Sequence, residues 1–448
     1  MDSIFDLDHL YRTYFKMALP SVFGLMVSVV YNLADTFFIA QSNDTALIAG
    51  VSLCAPVFTA LMAFGNIYGQ GGSSLISRLL GQDDREGTGR VSSFCFYVAL
   101  TTGVVLAALM MLFRVPLLGI LGATAETMPH AQAYYTVLAI GAPATVLNFI
   151  HSNLVRCEGM ATQSMIGSIG GTVINIILDP IMIFGLLGCP AMGVRGAAYA
   201  TIIGQLVAAV LGIVLNQKHN TDVRVNLKKI RFNFPLIGEI YSIGFPSILM
   251  TAIGSVTTYL MNQILLAFST TASAVYGVYF KLNSFFFMPL FGLNNAVVPI
   301  VAYNYGARNR GRIHQAIRTS TITAVTIMLL GWAAFFFLPV PLLRLFDASE
   351  AMIAIGIPAF RITSFTYPLP AVSIVASSVF QALGKSIYSM LVSLGRQLIV
   401  LIPVAYLFSL TGVLDDVWLA FPIAEGVCLI SSLFFLKKVL HRLDDFPQ

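Results

Sequence analysis

The sequence predicts an all-α integral membrane protein with twelve transmembrane helices in two pseudo-symmetric six-helix bundles. Three observations carry this. Of 448 residues, 57% are hydrophobic and only 10% charged, a balance that a soluble chain of this size cannot hide from water. Apolar runs longer than the roughly 20 residues needed to cross a bilayer recur from end to end, about twelve of them, so the spans are helices rather than the short alternating strands of a barrel. Finally, the second half of the chain repeats features of the first in register.

In chain order, the start "MDSIFDLDHLYRTYFK" is polar and acidic and the following apolar run is too long for a signal-peptide core, so the first helix is expected to be retained. That run extends from about Tyr14 to Ala40 and contains Asp35 in "SVVYNLADTFFIA". A carboxylate at mid-membrane costs about 2.5 to 3.5 kcal/mol on insertion scales, so it needs a partner, a cavity or a proton. Tyr31 and Asn32, one turn earlier, share its helical face. Pro20, some four turns before Asp35, loosens the hydrogen-bond ladder and permits a bend; helix-start punctuation is the plainer alternative. On the fourth helix, Tyr134, Tyr135 and Asn148 suit the wall of a substrate cavity, although aromatic content alone decides nothing.

The stretch "GTVINIILDPIMIFG", Gly171–Gly185, carries a second acid. Asn175 and Asp179 stand at i and i+4 and project one above the other. Pro180 lacks an N–H and crowds the carbonyl of Ile176, leaving a free acceptor one turn before the acid. Carboxylate, amide and carbonyl together resemble a proton or small-cation site, sodium included, on Asp35, Asn175 and Asp179; a pair of satisfied structural acids is the alternative. A carboxylic acid taken out of water holds its proton more tightly, and two facing one cavity reinforce each other. Proton exchange at such a pair switches a local charge and lets helices repack, which is the coupling an antiporter needs.

The connector Asn216–Pro235 is the longest polar stretch and divides the chain into a first lobe, residues 1–216, a cytoplasmic linker, 217–235, and a second lobe, 236–448. Across it "ALPS" at Ala18–Ser21 returns as "GFPS" at Gly244–Ser247, "GQDDREG" at Gly81–Gly87 as "GARNRGR" at Gly306–Arg312, and Pro143 as Pro368, the last two 225 positions apart. Six helices per copy make these parallel repeats about an axis along the membrane normal, and a cavity between the lobes opening alternately to either side is the expected mechanical use. The second lobe has no counterpart of the acids, with Met261, Asn262 and Gln263 in the region matching Asp35. Lys281, Arg361, Arg396 and Glu425 lie in or near its apolar runs and read as paired or snorkelling charges, so ion coupling is expected in the first lobe.

The net charge of +5 does not point to nucleic acid. Basic clusters at Arg12 and Lys16, around Arg85, in the connector, at Arg308–Arg312 and at Lys437–Arg442 occupy every second connection, which is the positive-inside pattern with both termini cytoplasmic. Contact with anionic membrane lipids is a secondary reading of the same charges. The five cysteines and six histidines show no metal-ligand spacing, so neither a metal nor an organic cofactor is expected.

With "ALPS" leading to "YNLADTFFIA", "NIYGQGGSSLISRLLGQDDREG", "NIILDPIMIFG" and "GVRGAAYATIIGQ" in this order, the chain resembles the multidrug and toxic compound extrusion (MATE) transporters over essentially its whole length. The resemblance implies two six-helix bundles and efflux of diverse, often cationic, amphipathic drugs driven by inward proton or sodium flow, from a monomer in the inner membrane of the cell. It carries family site positions onto Asp35, Asn175, Asp179, Thr201 and Tyr134, with the first-helix bend at Pro20. The missing seventh-helix acid makes the chain more similar to the branch of the DNA-damage-inducible (DinF-like) efflux proteins, and protons are the expected coupling ion. Lipid-linked precursor flippases tend to carry a strongly cationic cavity, which the first lobe lacks. Major facilitator transporters do not account for the paired Asn and Asp helices, and an intramembrane aspartyl protease wants a G-x-G-D context that neither acid has.

Overall fold

The computed structural model describes residues 9–446 apart from Asp44 and Phe232, with backbone alone for Asn32, Leu33, Thr36, Ala46 and Leu47. Every regular element among these residues is helical. Ten helices are long and apolar enough to cross a membrane, and two bent pairs raise the number to twelve if each pair is one span. By its own contacts the chain forms two compact units: Leu19–Gly244, and the described residues up to Ala18 together with those from Phe245 onward.

The first unit holds most of α1 (Leu10–Ala40), then α2 (Thr45–Leu53), α3 (Ala55–Gly81), α4 (Arg85–Leu112), α5 (Arg114–Ile120), α6 (Met128–Ile140), α7 (Ala142–Cys157), α8 (Ala161–Phe184), α9 (Val194–His219) and the beginning of α10 (Phe234–Leu266). To the second unit belong the rest of α10, α11 (Thr270–Gly306), α12 (Arg310–Phe337), α13 (Pro339–Arg344), α14 (Glu350–Ser364), α15 (Pro368–Ala382), α16 (Ser386–Leu394), α17 (Ile402–Ser409), α18 (Leu414–Trp418) and α19 (Ala420–His441), together with the first turns of α1. The repeat is visible in the helix starts: Arg85 and Arg310, and Ala161 and Ser386, are each 225 residues apart.

The fourth run is not the single helix expected from sequence. Helices α6 and α7 meet at 54°, and their counterparts α14 and α15 at 53°. Pro143 and Pro368, which begin the second member of each pair, have no N–H to continue the ladder. Tyr134 and Tyr135 therefore sit on α6 and Asn148 on α7.

The division between units falls inside α1, after Ala18, and inside α10, after Gly244. Pro20 and Pro246 lie two residues beyond those points, where a missing N–H weakens each helix ladder. The first turns of α10 are fastened to α3: Arg78 pairs with Glu239 at 3.3 Å, and the hydroxyls of Tyr68 and Tyr241 share a hydrogen bond of 2.9 Å. Gly71 and Gly244 allow this approach, because a Cβ on either would strike the backbone carbonyl of Ile240 or of Ile67.

The connector after α9 is docked rather than loose. Glu158, buried at the end of α7, accepts hydrogen bonds from the backbone N–H groups of Thr221, Asp222 and Val223 at 3.0, 2.7 and 2.8 Å. Ser92 and Asn216 both donate to the Val223 carbonyl, at 2.6 and 3.0 Å. Replacing Glu158 by alanine would strand these donors. It should lower unfolding stability by about 3 kcal/mol, since each bond to a charged group is worth about 1.5 to 3 kcal/mol and some donors regain water. Thermal unfolding in detergent measures this, and an unchanged melting temperature would show that the connector is held by something else.

In the second unit, Tyr279, Phe335, Phe360 and Tyr367 form an aromatic core with ring centroids 5.0 to 6.2 Å apart. Arg396, on a π-helical segment at Gly395–Leu401 between α16 and α17, pairs with Glu425 of α19 at 3.4 Å. Arg361 donates to the Phe336 carbonyl at 3.3 Å, and Lys281 is exposed.

Candidate functional site

Within the first unit, helices α1, α6, α8 and α9 bring six polar side chains together. Asp179 is fully buried and Asn175 nearly so, both on the α8 face turned toward α9. The carboxyl of Asp179 interacts directly with that of Asp35 on α1. Tyr31, one turn before Asp35, reaches the side chains of Thr201 and Asn175 and faces both acids. Tyr134, buried on α6, lies against Asp35, Tyr31 and Thr201. Tyr134 also belongs to an apolar core that includes Ile39, Leu138, Ala197 and Ala198.

Small residues explain why α8 and α9 come so close. A Cβ at Gly171 would lie 2.5 Å from the Gly204 carbonyl oxygen and 2.6 Å from the Ala208 Cβ; one at Gly204 would lie 2.9 Å from the Asn175 Cβ. In a membrane, where burial of apolar surface gives helices no reason to associate, such close backbone packing is a main attraction between them. It brings Thr201 of α9 and Asn175 of α8 within reach of the same Tyr31 side chain. Gln205, one turn beyond Thr201, accepts a hydrogen bond of 2.6 Å from Asn148 and joins α7 to α9.

Asp35 Oδ1, both carboxyl oxygens of Asp179 and Asn175 Oδ1 are buried without a well-formed hydrogen bond. Native structures rarely leave buried oxygens unmatched, and such oxygens mark places where a proton, an ion or water belongs. Two carboxyls and an amide oxygen form a hard donor set that suits a proton or a small monovalent cation. No group of three or more His, Cys, Asp or Glu side chains among the described residues could hold a metal ion.

Of the residues picked out from sequence, the structure gathers Tyr31, Asp35, Tyr134, Asn175, Asp179 and Thr201 into this cluster. Asn148 lies on α7 hydrogen-bonded to Gln205, and Pro180 sits within α8 beside Asp179. Tyr135 is placed elsewhere: it is fully buried in the α6 core and donates to the Met110 carbonyl at 2.8 Å. The side chain of Asn32 lies outside the described residues. Gln205 was missed, although its i+4 spacing from Thr201 would have put it on the same face.

Fold and cluster define a multi-pass helical membrane protein with an acidic site inside one of its units. The MatE family model matches residues 20–181 and 245–407, covering both halves of the chain. Multidrug export protein MepA of Staphylococcus aureus (strain NCTC 8325 / PS 47) is 31% identical over 443 residues, 98% of this chain and 96% of that one. A crystal structure of MATE in the bent conformation superposes with a TM-score of 0.90 at 26% identity, covering 96% of this chain and 95% of the other. The outward-facing conformation of a multidrug resistance MATE family transporter of the MOP superfamily gives 0.88 at 27% identity, with 96% of each chain covered. The chain belongs to the MatE family, and it is a membrane transporter rather than an enzyme.

Proposed function

We propose that the protein is a secondary active multidrug antiporter that exports diverse, often cationic, amphipathic compounds in exchange for protons. The observation that carries this reading is the Asp35–Asp179 pair: two interacting carboxyls with three unmatched buried oxygens. The name of the relatives, multidrug export protein, supports the substrate class. Two neighbouring carboxylates repel in the apolar interior, so a proton or cation bound between them is held firmly and its departure leaves a charge that demands rearrangement. Tyr31, Tyr134, Asn175 and Thr201 supply the polar groups that adjust to either state. Pro20 is the place where α1 bends as the pair changes charge. The lobes 1–216 and 236–448 alternate access around a drug site, in a monomer placed in the inner membrane with both termini cytoplasmic.

Purified protein in vesicles, offered the fluorescent cation ethidium, tests the ion. A proton gradient at fixed sodium is expected to drive uphill ethidium movement, and a sodium gradient at fixed pH is expected to leave it unchanged. Movement that follows sodium alone would assign the carboxyl pair to that ion instead.

A further inference from the structure

A cavity of about 330 Å³ opens in the first unit between the beginning of α4 and the beginning of α10, away from the acidic cluster. Its lining divides by chemistry. Arg90 and the exposed Arg231 bring two guanidiniums, while Val91, Phe94, Ile237 and Ile240 make an apolar wall. Arg90 also pairs with Glu86 one turn back, outside the cavity, which leaves further donors of its fork free to turn inward. The ammonium of Lys229 lies over Gly89, next to Arg90, and adds a third cation at the approach. Phe234, 80% exposed, stands at the rim.

The position matters as much as the lining. The spans Arg85–Leu112 and Phe234–Leu266 both begin here, and the end of a membrane-crossing helix is where the surroundings pass from headgroup to acyl chain. An exposed apolar ring at the rim extends the surface that an acyl chain can cover. We infer that this cavity binds an anionic phospholipid, its phosphate between Arg90 and Arg231 and its upper acyl carbons along Leu236 and Ile237. Arginine is suited to this role because its planar fork presents paired donors to phosphate oxygens. A soluble phosphate would use the two arginines and leave Phe234, Leu236 and Ile237 facing water, which is why the lipid is favoured as occupant. The bound lipid bridges α4 to the same first turns of α10 that Arg78–Glu239 and Tyr68–Tyr241 fasten to α3. The inference is independent of the transport reading.

The test uses the full chain in detergent micelles doped with either phosphatidylglycerol or phosphatidylcholine, with bound lipid counted by native mass spectrometry. The native chain should retain phosphatidylglycerol about thirtyfold over phosphatidylcholine, the scale expected for two interfacial arginines, and melt at higher temperature with it. Arg90→Gln with Arg231→Gln should abolish both preferences while melting like the native chain in phosphatidylcholine. Should that pair fail to fold, Arg231→Gln alone, altering an exposed side chain, should still weaken the preference. Retention of phosphatidylglycerol by folded variants at the native level would overturn the site. Displacement of the lipid by millimolar inorganic phosphate or glycerol phosphate would overturn the choice of occupant.

Discussion

Asp35→Asn is expected to bring gradient-driven drug export down to the leak of protein-free vesicles, with the chain still folded. Asparagine keeps the size and part of the hydrogen-bonding capacity of aspartate but can neither take nor release a proton, so the remaining carboxyl loses the partner with which it shares one. Asp179→Asn should do the same, because each acid supplies half of one interacting pair. The double variant should be no worse than either single one, as happens when residues act as a unit. Transport assays on vesicles with matched protein content measure this. Undiminished export by Asp35→Asn would mean that the pair is structural and that coupling resides elsewhere.

Gly171→Leu should be as damaging for a different reason. Its Cβ would meet the Gly204 carbonyl at 2.5 Å, a backbone atom with no rotamer to escape into. Overpacking of this kind typically costs about 1 to 3 kcal/mol. Because helix backbones must separate to relieve it, Thr201 would leave the face of α8 that carries Asn175 and Asp179. Gly171→Leu is therefore expected to lose at least half of its folded yield, roughly what such a cost does to a marginally stable chain, and to export no drug from the remainder. Gly170→Leu is the control: a Cβ there meets only the end of the Leu211 side chain, which can turn aside. Equal loss in both variants, read by size-exclusion profile and transport, would show that the α8–α9 contact tolerates no change anywhere and is not specific to the site.

How much of this was legible in the sequence depends on how far apart the interacting groups lie along the chain. Asp35 with Tyr31, and Asp179 with Asn175, are one turn apart on a helix, and the cost of a membrane carboxylate draws attention to them at once. That the two acids meet follows from α1 packing beside α8, which no local pattern encodes. Thr201 came only through the family resemblance, and Tyr134 read from the residues alone as one aromatic of a substrate wall. Hydroxyls are common in membrane helices, where they usually bond the preceding turn, as Thr201 does to the Ala197 carbonyl at 3.1 Å. The connector read as a polar linker because its anchor, Glu158, is more than sixty residues away from the N–H groups it holds. The Arg78–Glu239 pair spans 161 positions and was equally invisible. Tyr134 and Tyr135 looked alike from sequence, yet adjacent residues on a helix point about 100° apart, and one faces the acids while the other faces the core.

The most direct measurement of the central claim is proton release on drug binding. Purified protein in weakly buffered detergent is mixed with ethidium while a pH dye follows the solution. If the Asp35–Asp179 pair exchanges its proton for drug, about one proton should appear per drug bound, because a coupled pair gives up its two protons in separate steps, and none from Asp35→Asn or Asp179→Asn at the same occupancy. Undiminished release from the doubly substituted protein would contradict the account.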